Sequence, residues 1–418
     1  MRPVAVWPSG PLEVIAAFDK ALEPAAAATF VGKSIGYFEP AEPPGGRNPT
    51  PRPLGALRIV GARLTDAGRT LTLATDPHPR LASYVLPVPK GSPETSIAGE
   101  GHYDLSGAEV TWTPAASTDD RPVWTGWWPR IDLAATTRLT EGSTHHKEGL
   151  ALLAKPGRLT LGTLVRLPAG AVTVRIESSQ PIDEATLGEA HAELTGPEPP
   201  AQCRRALLRI QSQGDPLFLF IACRTGSNGP PFLLTASYRL GDSTKDHELE
   251  RGLTILPWAP VPALAAMAPV LVPDLSDGDS ARGKAIFNGE KARCSQCHAF
   301  RGQGGKVGPD LNEIGKKGGA EIYRAIAAPN AAIDPEFMSY TVATKGGQVV
   351  LGIVRAEGPD TIRVTDTNAH TVVINRVEID QIRPSANSIM PVGLTGVLGE
   401  AAVRDLIAFL SDRSGSTR

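Results

Sequence analysis

A proline-rich apolar segment divides the chain and limits what it can form. Residues 255–273 carry no charged side chain, and their length approaches that of a membrane span. However, five of these residues are proline, and each proline removes a backbone donor and clashes with the preceding helical turn. We therefore predict a stiff linker at 255–274 rather than a membrane-spanning helix. The chain of 418 residues is long enough for about three domains around such a linker.

The part before the linker has the pattern of β-strands joined by turns. Apolar residues alternate with period two in 157–168 and 171–179. Apolar runs on both sides of residues 66–68 (Asp-Ala-Gly) predict a hairpin. Glycine and proline are abundant, at 43 and 38 residues, which favours short strands over long helices. We expect a β-sandwich at 1–98 and a second, jelly-roll-like β-sandwich at 102–254.

The first of these domains resembles a known class of β-sandwich. The strand pattern of residues 10–24, 61–80 and 83–89 is similar, in its order, to bacterial immunoglobulin-like domains. The resemblance implies an immunoglobulin-like sandwich at 1–98.

Two cysteines lie in the second predicted domain. Residues 203–225 read as a hairpin that turns near Gln213, which sets Cys203 opposite Cys223. A cross-strand disulfide is then geometrically allowed, and closing a loop of this length contributes about 3 kcal/mol in the chain-entropy model. We predict this disulfide, with two buried free thiols as the alternative.

Two further clusters in the second domain have competing interpretations. Exposed tryptophans stack on sugar faces, but clustered ones such as Trp124, Trp127 and Trp128 more often form core, which is the interpretation we favour. His145 and His146 are expected on a solvated loop, because adjacent side chains on a strand point to opposite faces and would not share a metal ion.

The pentad Cys294-Ser295-Gln296-Cys297-His298 carries the strongest chemical signal. Two thiols at this spacing each add to a vinyl group of one haem, and the adjacent histidine supplies the proximal nitrogen. Structural zinc usually needs four protein ligands, and Cys203 and Cys223 belong to another predicted domain. A redox dithiol would begin a helix after a strand, whereas this pentad follows a predicted helix that Asp279 or Ser280 caps. We predict one covalently attached haem c, with zinc and a redox dithiol as the alternatives.

Residues 282–315 resemble class I c-type cytochromes. Cys294, Cys297 and His298 match the family's attachment motif, and residues 308–311 match its Gly-Pro-x-Leu turn. The resemblance implies that the Pro309 carbonyl accepts a hydrogen bond from the His298 imidazole, which fixes the ring and increases its basicity. It also implies an α-helical domain whose first helix packs against a closing helix.

The resemblance also indicates the distal ligand. Class I cytochromes place their axial methionine just before the closing helix, where this chain has Met390 followed by Pro391. Met338 and an open or different ligand are the alternatives. His298 and Met390 would then ligate the iron, and thioether sulfur raises the reduction potential relative to a second histidine.

A strand-rich segment at 338–383 separates the two expected ligands. Residues 345–382, followed by 388–394, are similar to the haem-binding domains of planctomycete and verrucomicrobial exported proteins. Those domains insert a small β-module between the axial ligands. The resemblance covers about 275–413. It implies a cytochrome c domain at 275–413 with a β-barrel or meander at 338–383.

These expectations lead to three functional hypotheses. The first is a periplasmic electron-transfer protein, not itself an enzyme, whose β domains dock a redox partner such as a dehydrogenase or another cytochrome. Residues 281–324 hold nine basic and four acidic residues, which favours an acidic partner, and the net charge of −2 argues against nucleic acid. The alternatives are a peroxidase-like haem enzyme and a polysaccharide-binding module with an accessory haem.

The expected location follows from the expected cofactor. Haem is attached to thiols outside the cytoplasmic membrane, so we expect an exported protein. Residues 1–14 lack the apolar run of a signal peptide, so we expect the printed sequence to be trimmed or part of a longer product.

Overall fold

The protein has two compact units, 1–259 (unit 1) and 260–418 (unit 2). The computed structural model describes residues 3–39, 51–87, 100–117, 121–198, 203–226, 230–249, 252–261, 270–331 and 333–412. The division falls within the predicted linker, but Ile255, Leu256 and Trp258 are buried. The start of that segment therefore belongs to the core of unit 1. Among the described residues, no helix has the length and apolar character needed to cross a membrane.

The first seven strands of unit 1 form one sheet in the order β1-β2-β5-β4-β3-β6-β7. The long strand β4 pairs with β3 through its first half and with β5 through its second half. The predicted hairpin at residues 66–68 is confirmed, because Thr65 pairs with Thr70 across it. The sheet reaches Tyr103, beyond the predicted boundary at 98. The strands are β1 Pro3–Gly10, β2 Glu13–Phe18, β3 Ser34–Phe38, β4 Pro53–Thr65, β5 Thr70–Thr75, β6 Ser83–Pro87 and β7 Glu100–Tyr103.

The rest of unit 1 contains two sheets with a shared core. One has the order β13-β12-β16-β10-β8-β9, with β19 beside β10, and the other has the order β14-β15-β11-β17-β18. Alternate residues of β10 and β11, such as Leu161 and Val174, are buried in one hydrophobic cluster, as their period-two pattern predicted. The strands are β8 Ala108–Pro114, β9 Trp124–Trp128, β10 Gly157–Val165, β11 Gly170–Ser178, β12 Ile182–Leu187, β13 Ala190–His191, β14 Glu193–Glu198, β15 Cys203–Ser212, β16 Leu217–Thr225, β17 Leu234–Leu240, β18 His247–Glu248 and β19 Thr254–Ile255.

The predicted hairpin between Cys203 and Cys223 is wrong. β15 pairs with β11 and β14, whereas β16 pairs with β10 and β12 in the other sheet. The chain between them crosses from one layer to the other, a path that alternation alone does not distinguish from a hairpin. The thiol of Cys223 is free and buried, and the side chain of Cys203 lies outside the described residues, so the disulfide remains a prediction.

The described part of unit 1 also contains three short α-helices: α1 Pro24–Ala28, α2 Leu133–Leu139 and α3 Thr144–Leu152. The Ser143 side chain caps α3 by accepting a hydrogen bond from the His146 amide. His145 and His146 therefore lie in the first turn of a helix rather than on the predicted loop. Ser143, immediately before the first helical residue, was the sequence signal for this helix start.

Where the structure describes it, at 260–261, 270–331 and 333–412, unit 2 combines five α-helices with a two-stranded and a five-stranded sheet. The Asp279 side chain caps the first helix, as predicted, by accepting from the Arg282 amide at 2.8 Å. The helices are α4 Ser280–Asn288, α5 Cys294–Cys297, α6 Gly319–Ala327, α7 Leu394–Leu398 and α8 Glu400–Ser411. The strands are β20 Ala299–Phe300, β21 Gln303–Gly304, β22 Ser339–Thr344, β23 Val349–Ala356, β24 Thr361–Thr365, β25 Thr371–Asn375 and β26 Ile379–Pro384.

The helices of unit 2 pack around a small aromatic core. α4 crosses α8 at Gly283, where a Cβ would lie 2.7 Å from the Cβ of Phe409, so only glycine allows this approach. The rings of Phe287, Phe300 and Phe409 lie with centroids 5.0–6.0 Å apart. The Asp405 carboxylate, also at the crossing, accepts hydrogen bonds from the Asp279 amide and the Arg282 guanidinium, which lower its pKa.

The predicted α-helical class I cytochrome c domain is wrong as a fold class. Strands make up 42% of the protein and helices 20%. The protein is therefore a multidomain protein built mainly of β-sheets. In unit 2 the strands at 339–384 form a five-stranded sheet in the order β25-β24-β23-β22-β26, here called the β-insert. Helix α7 beside it is only five residues long, and glycines with positive φ, Gly393 and Gly399, flank it at both ends.

Candidate functional site

The pentad is held by a tight loop that follows it in the chain. α5 is a single turn, closed by the His298 amide donating to the Cys294 carbonyl at 2.9 Å. The loop then returns along this turn, and the amides of Gly305 and Gly308 donate to the carbonyls of Ser295 and Cys297, both at 2.8 Å. The Leu311 amide donates to the Ala299 carbonyl, also at 2.8 Å, and this hydrogen bond holds the C-terminal end of the loop. The backbone thus fixes the pentad without help from side chains.

The imidazole of His298 is oriented by one backbone carbonyl. Its Nδ1 lies 2.8 Å from the Pro309 carbonyl oxygen. A carbonyl only accepts, so Nδ1 carries the hydrogen in this contact, and Nε2 of the neutral ring then has its lone pair available. Burial lowers the pKa of His298, which favours that neutral form. No hydrogen-bond partner of Nε2 occurs in the part of the chain that the structure describes.

Gly308 leaves room for the ring. A Cβ at this position would lie 2.7 Å from Cε1 and 2.9 Å from Nδ1 of His298, closer than side-chain atoms normally approach. The imidazole therefore lies directly against the backbone at Gly308. The Gly-Pro pair acts as a unit, in which glycine admits the ring and Pro309 accepts its hydrogen bond.

The two thiols of the pentad are free and partly buried. Burial raises the pKa of the Cys294 thiol to about 11. Burial also raises the pKa of the Cys297 thiol, and the nearby Asp366 carboxylate adds to this effect. Both groups are thus neutral thiols at ordinary pH. This is unlike the low-pKa thiolate that a redox dithiol uses for attack.

Met390 belongs to the same core as the pentad. Met390 and Cys294 both pack, partly buried, against the hydrophobic cluster that contains Phe287, Phe409 and Leu394. Met338 is also partly buried, but it is not among the described residues that pack against this cluster. Of the two candidate distal ligands, Met390 is thus the one that shares a core with the pentad.

The tryptophan cluster of unit 1 is mainly core. Trp124 and Trp128 are buried, which confirms the interpretation as core packing. Trp127 is partly buried, and its indole N–H donates to the Ser106 carbonyl at 2.8 Å. These contacts leave little ring surface for stacking on a sugar, and carbohydrate contact remains a prediction.

The three residues that hold the Met390 segment were not predicted from the sequence. Asn330, Ser339 and Ser388 form side-chain hydrogen bonds within and around this segment. They lie at the two ends of the β-insert, and small polar residues at such junctions were the available signal. Their partners, however, are more than 40 positions away in two of the three cases, so the sequence did not indicate which bonds form.

Comparisons with known proteins give little guidance. No protein-family model matches the chain, and no curated protein matches it. Among solved structures, it is similar to a PA14 sugar-binding domain from an RTX adhesin, with 12% identity and a TM-score of 0.25, covering 35% of this chain and 96% of that one. An anti-sigma factor domain-containing protein matches with 8% identity and a TM-score of 0.27, covering 61% and 92%.

The major pilin SpaD from Corynebacterium diphtheriae matches with 9% identity and a TM-score of 0.19, covering 51% of this chain and 58% of that one. Scores this low carry no argument about fold or function.

The family resemblances drawn from the sequence are therefore wrong. No finding supports class I c-type cytochromes, planctomycete and verrucomicrobial haem-binding domains or bacterial immunoglobulin-like domains as relatives. The description as a metal-binding protein is corrected as well, because the described residues contain no group of three or more His, Cys, Asp or Glu that could hold a metal ion. Motifs as short as the pentad and a Gly-Pro turn define a local loop and do not define the rest of a chain.

Proposed function

We propose that unit 2 binds one haem covalently and transfers single electrons. The observation that carries this proposal is the imidazole of His298, which is held at Nδ1 by the Pro309 carbonyl while Nε2 has no partner among the described residues. Two free thiols lie at the spacing that suits the two vinyl groups of a porphyrin. A thiol pair, a free imidazole nitrogen and a nearby thioether are together the donor set of a covalently bound haem.

Each of several residues of the chain would have its own role in binding the haem. Cys294 and Cys297 would form the two thioether bonds to the haem. Nε2 of His298 and the thioether of Met390 would ligate its iron. The Pro309 carbonyl holds the ring in one tautomer and increases its basicity. When bound, the haem iron would supply one-electron redox chemistry beside the hydrophobic core against which Cys294 and Met390 pack.

The donor set also explains how a haem fits without a cluster of acidic, cysteine and histidine ligands. A porphyrin brings four nitrogens to its iron, so the protein needs to supply only one or two ligands. The fit is therefore judged at the pentad itself, where the thiols are not joined to each other and the imidazole has a free nitrogen.

The proposal includes a location and a kind of partner. Haem is attached to thiols outside the cytoplasmic membrane, which supports an exported protein. Lys291, Arg293 and Lys306 lie beside the pentad in the chain, are exposed, and have no ion-pair partner in the described part of the molecule. They favour a redox partner with an acidic surface, and electron transfer to it should then slow as salt is added.

The decisive experiment is a pyridine haemochrome spectrum of protein matured in a host that attaches haem to thiols. We expect one haem per chain, retained after acid-acetone extraction. The double substitution Cys294→Ser with Cys297→Ser should abolish it. Cys223→Ala is the matched control, because this thiol is buried in unit 1 and should not affect haem content. Absence of covalent haem in the matured wild-type protein would overturn the proposal.

A further inference from the structure

A chain of hydrogen bonds joins the end of the β-insert to the end of α6. The Ser388 amide donates to Oδ1 of Asn330 at 2.8 Å, and Nδ2 of Asn330 donates to Oδ1 of Asn387 at 3.2 Å. Asn330 lies just beyond α6, a helix that buries Ile322 and Ile326 in the core of unit 2. One side chain thus ties the segment after the β-insert to the helical part of the unit at two successive residues.

A second set of bonds ties the same segment to the start of the β-insert. The Ser339 hydroxyl donates to the Asn387 carbonyl at 2.6 Å, and the Ser385 amide donates to the Ser339 carbonyl at 2.8 Å. Ser339 is buried and Asn387 is exposed, so the bond between them is partly shielded from water. Residues before and after the β-insert are therefore fixed to each other where β22 and β26 pair.

The last bond of the series reaches Met390 itself. The Ser388 hydroxyl accepts from the Met390 amide at 3.1 Å, and Ile389 between them is buried. The backbone at Met390 is thus linked through Ser388 to Asn330, and through Asn387 to Ser339. A methionine side chain has three rotatable bonds and adapts to many positions, so a ligand of this type is held in place mainly by its backbone.

We propose that the β-insert and Asn330 form a clamp that positions Met390 as the distal ligand. Asn330, Ser339 and Ser388 are positioning residues in this clamp, because they act on the ligand through its backbone. The inference rests on the proposed function, since it concerns the ligand of the proposed haem. It gives the β-insert a role inside its own unit: its paired ends hold the ligand segment in register.

The test compares variants of the full-length matured protein. Asn330→Ala removes both side-chain bonds, and Asn330→Asp keeps an acceptor for the Ser388 amide. Thr344→Ala is the matched control, because it removes a turn bond to Gln348 within the β-insert, away from Met390. We expect imidazole to bind the ferric Asn330→Ala protein about tenfold more tightly than the wild type, since a loosened Met390 competes less well, with the reduction potential lowered as well.

Asn330→Asp should restore most of the wild-type imidazole affinity, and Thr344→Ala should leave it unchanged. Ser388→Ala, which removes only the bond to the Met390 amide, serves if Asn330→Ala fails to fold. Equal imidazole affinity in Asn330→Ala and the wild type, with haem attached in both, would overturn the clamp and leave the proposed function intact.

Hydrogen exchange of the haem-free chain tests the clamp separately. In the Asn330→Ala variant, the amides at 385–391 should exchange faster than in the wild type, while those of β23 and β24 should not change. If no haem attaches to the wild type, the proposed function fails, and this exchange pattern alone decides whether the segment is clamped. Unchanged exchange at 385–391 would then overturn the clamp too.

Discussion

Unit 1 buries His78 and His146 and unit 2 partly buries His298, and the ring nitrogens of these histidines differ in their partners. In unit 1, His78 contacts the Pro11 carbonyl with Nδ1 and the Tyr103 hydroxyl with Nε2. His146 contacts the Ser143 hydroxyl and the Trp127 carbonyl in the same two-sided manner. In unit 2, His298 has one hydrogen-bond partner among the residues that the structure describes, the Pro309 carbonyl. A buried imidazole with both nitrogens engaged is a structural element, whereas one with a free nitrogen is available as a ligand.

The comparison also explains why the neighbouring residues differ. The rings in unit 1 are enclosed by aromatic side chains, and His146 lies with its centroid 4.6 Å from that of Trp7. His298 lies instead against the backbone at Gly308. Aromatic side chains and two hydrogen-bond partners each hold the buried imidazoles of His78 and His146, while the backbone at Gly308 and Pro309 positions His298.

The largest effects should come from removing one histidine of each kind. His298→Ala should abolish covalent haem without changing the unfolding of unit 1. His146→Ala should keep the haem and destabilise unit 1 by about 3 kcal/mol, because it removes the ring's bonds to the Ser143 hydroxyl and the Trp127 carbonyl and opens a cavity.

Haem content and urea unfolding followed by tryptophan fluorescence measure the two outcomes. All six tryptophans lie within 1–259, so the fluorescence reports on unit 1 alone. A normal haem content in His298→Ala, or an unchanged urea midpoint of unit 1 in His146→Ala, would contradict the proposed difference between a ligand histidine and a structural one.

The next effect is a dependence of unit 1 stability on pH. Burial lowers the pKa of both His78 and His146 to about 4, against a value of 6.5 in the unfolded chain. The unfolded state therefore binds more protons at acid pH, and the stability is complete above pH 6.5 and declines as the pH falls towards 4. Each histidine should contribute a slope of about 1.4 kcal/mol per pH unit in that range.

Urea unfolding between pH 7 and pH 4.5 measures this slope. His146→Gln should reduce the histidine part of the slope by about half, while replacement of the exposed His191 by Gln should leave it unchanged. A slope that does not respond to His146→Gln would show that this ring is not held neutral in the folded state.

The smallest effect concerns the backbone contact of His298. Gly308→Ala places a methyl group against the ring and should destabilise unit 2 by about 1–2 kcal/mol, through overpacking and a weaker bond to Pro309. Gly396→Ala is the control, because this glycine lies in α7 with open space around its Cα, and alanine there should stabilise by about 0.5–1 kcal/mol. Hydrogen exchange of unit 2 peptides compares the variants, and equal protection in both would show that the ring has room to move.

Local pattern predicted the strands well and their partners poorly. The alternation in β10 and β11, and the turn at residues 66–68, depend on neighbouring residues, so the sequence was sufficient for them. The strands β15 and β16 were also found, but the link between them crosses two layers. Whether β15 and β16 pair with each other or join different sheets depends on how all the strands of unit 1 pack. The sequence of the two strands alone does not decide it.

The candidate site likewise has one part formed by residues close in the sequence and one part formed by residues far apart. The pentad and Pro309 lie within 16 positions of one another, and a single loop brings them together. The bonds that hold Met390 join Asn330 to Ser388 and Ser339 to Asn387, across the whole β-insert. Such contacts leave no periodic trace in the sequence, because any asparagine or serine at a loop end would look the same. A serine at position 143 is a helix N-cap signal, but His145 and His146 were predicted on an extended loop.

The pairing of β22 with β26 has a consequence for how unit 2 acquires its fold. Tyr340 and Pro384 are partners, so the β-insert leaves the helical part and returns to it at nearly the same point. Strands β22 to β25 pair with their chain neighbours through short turns, whereas β26 crosses to the other edge of the sheet and closes it by pairing with β22, 44 positions away at Tyr340 and Pro384. Once the meander has formed, the segments on either side behave as if a short loop joined them, which greatly reduces the entropy lost when α8 docks. The same geometry makes the β-insert a natural place for the chain to gain or lose residues without disturbing the helices.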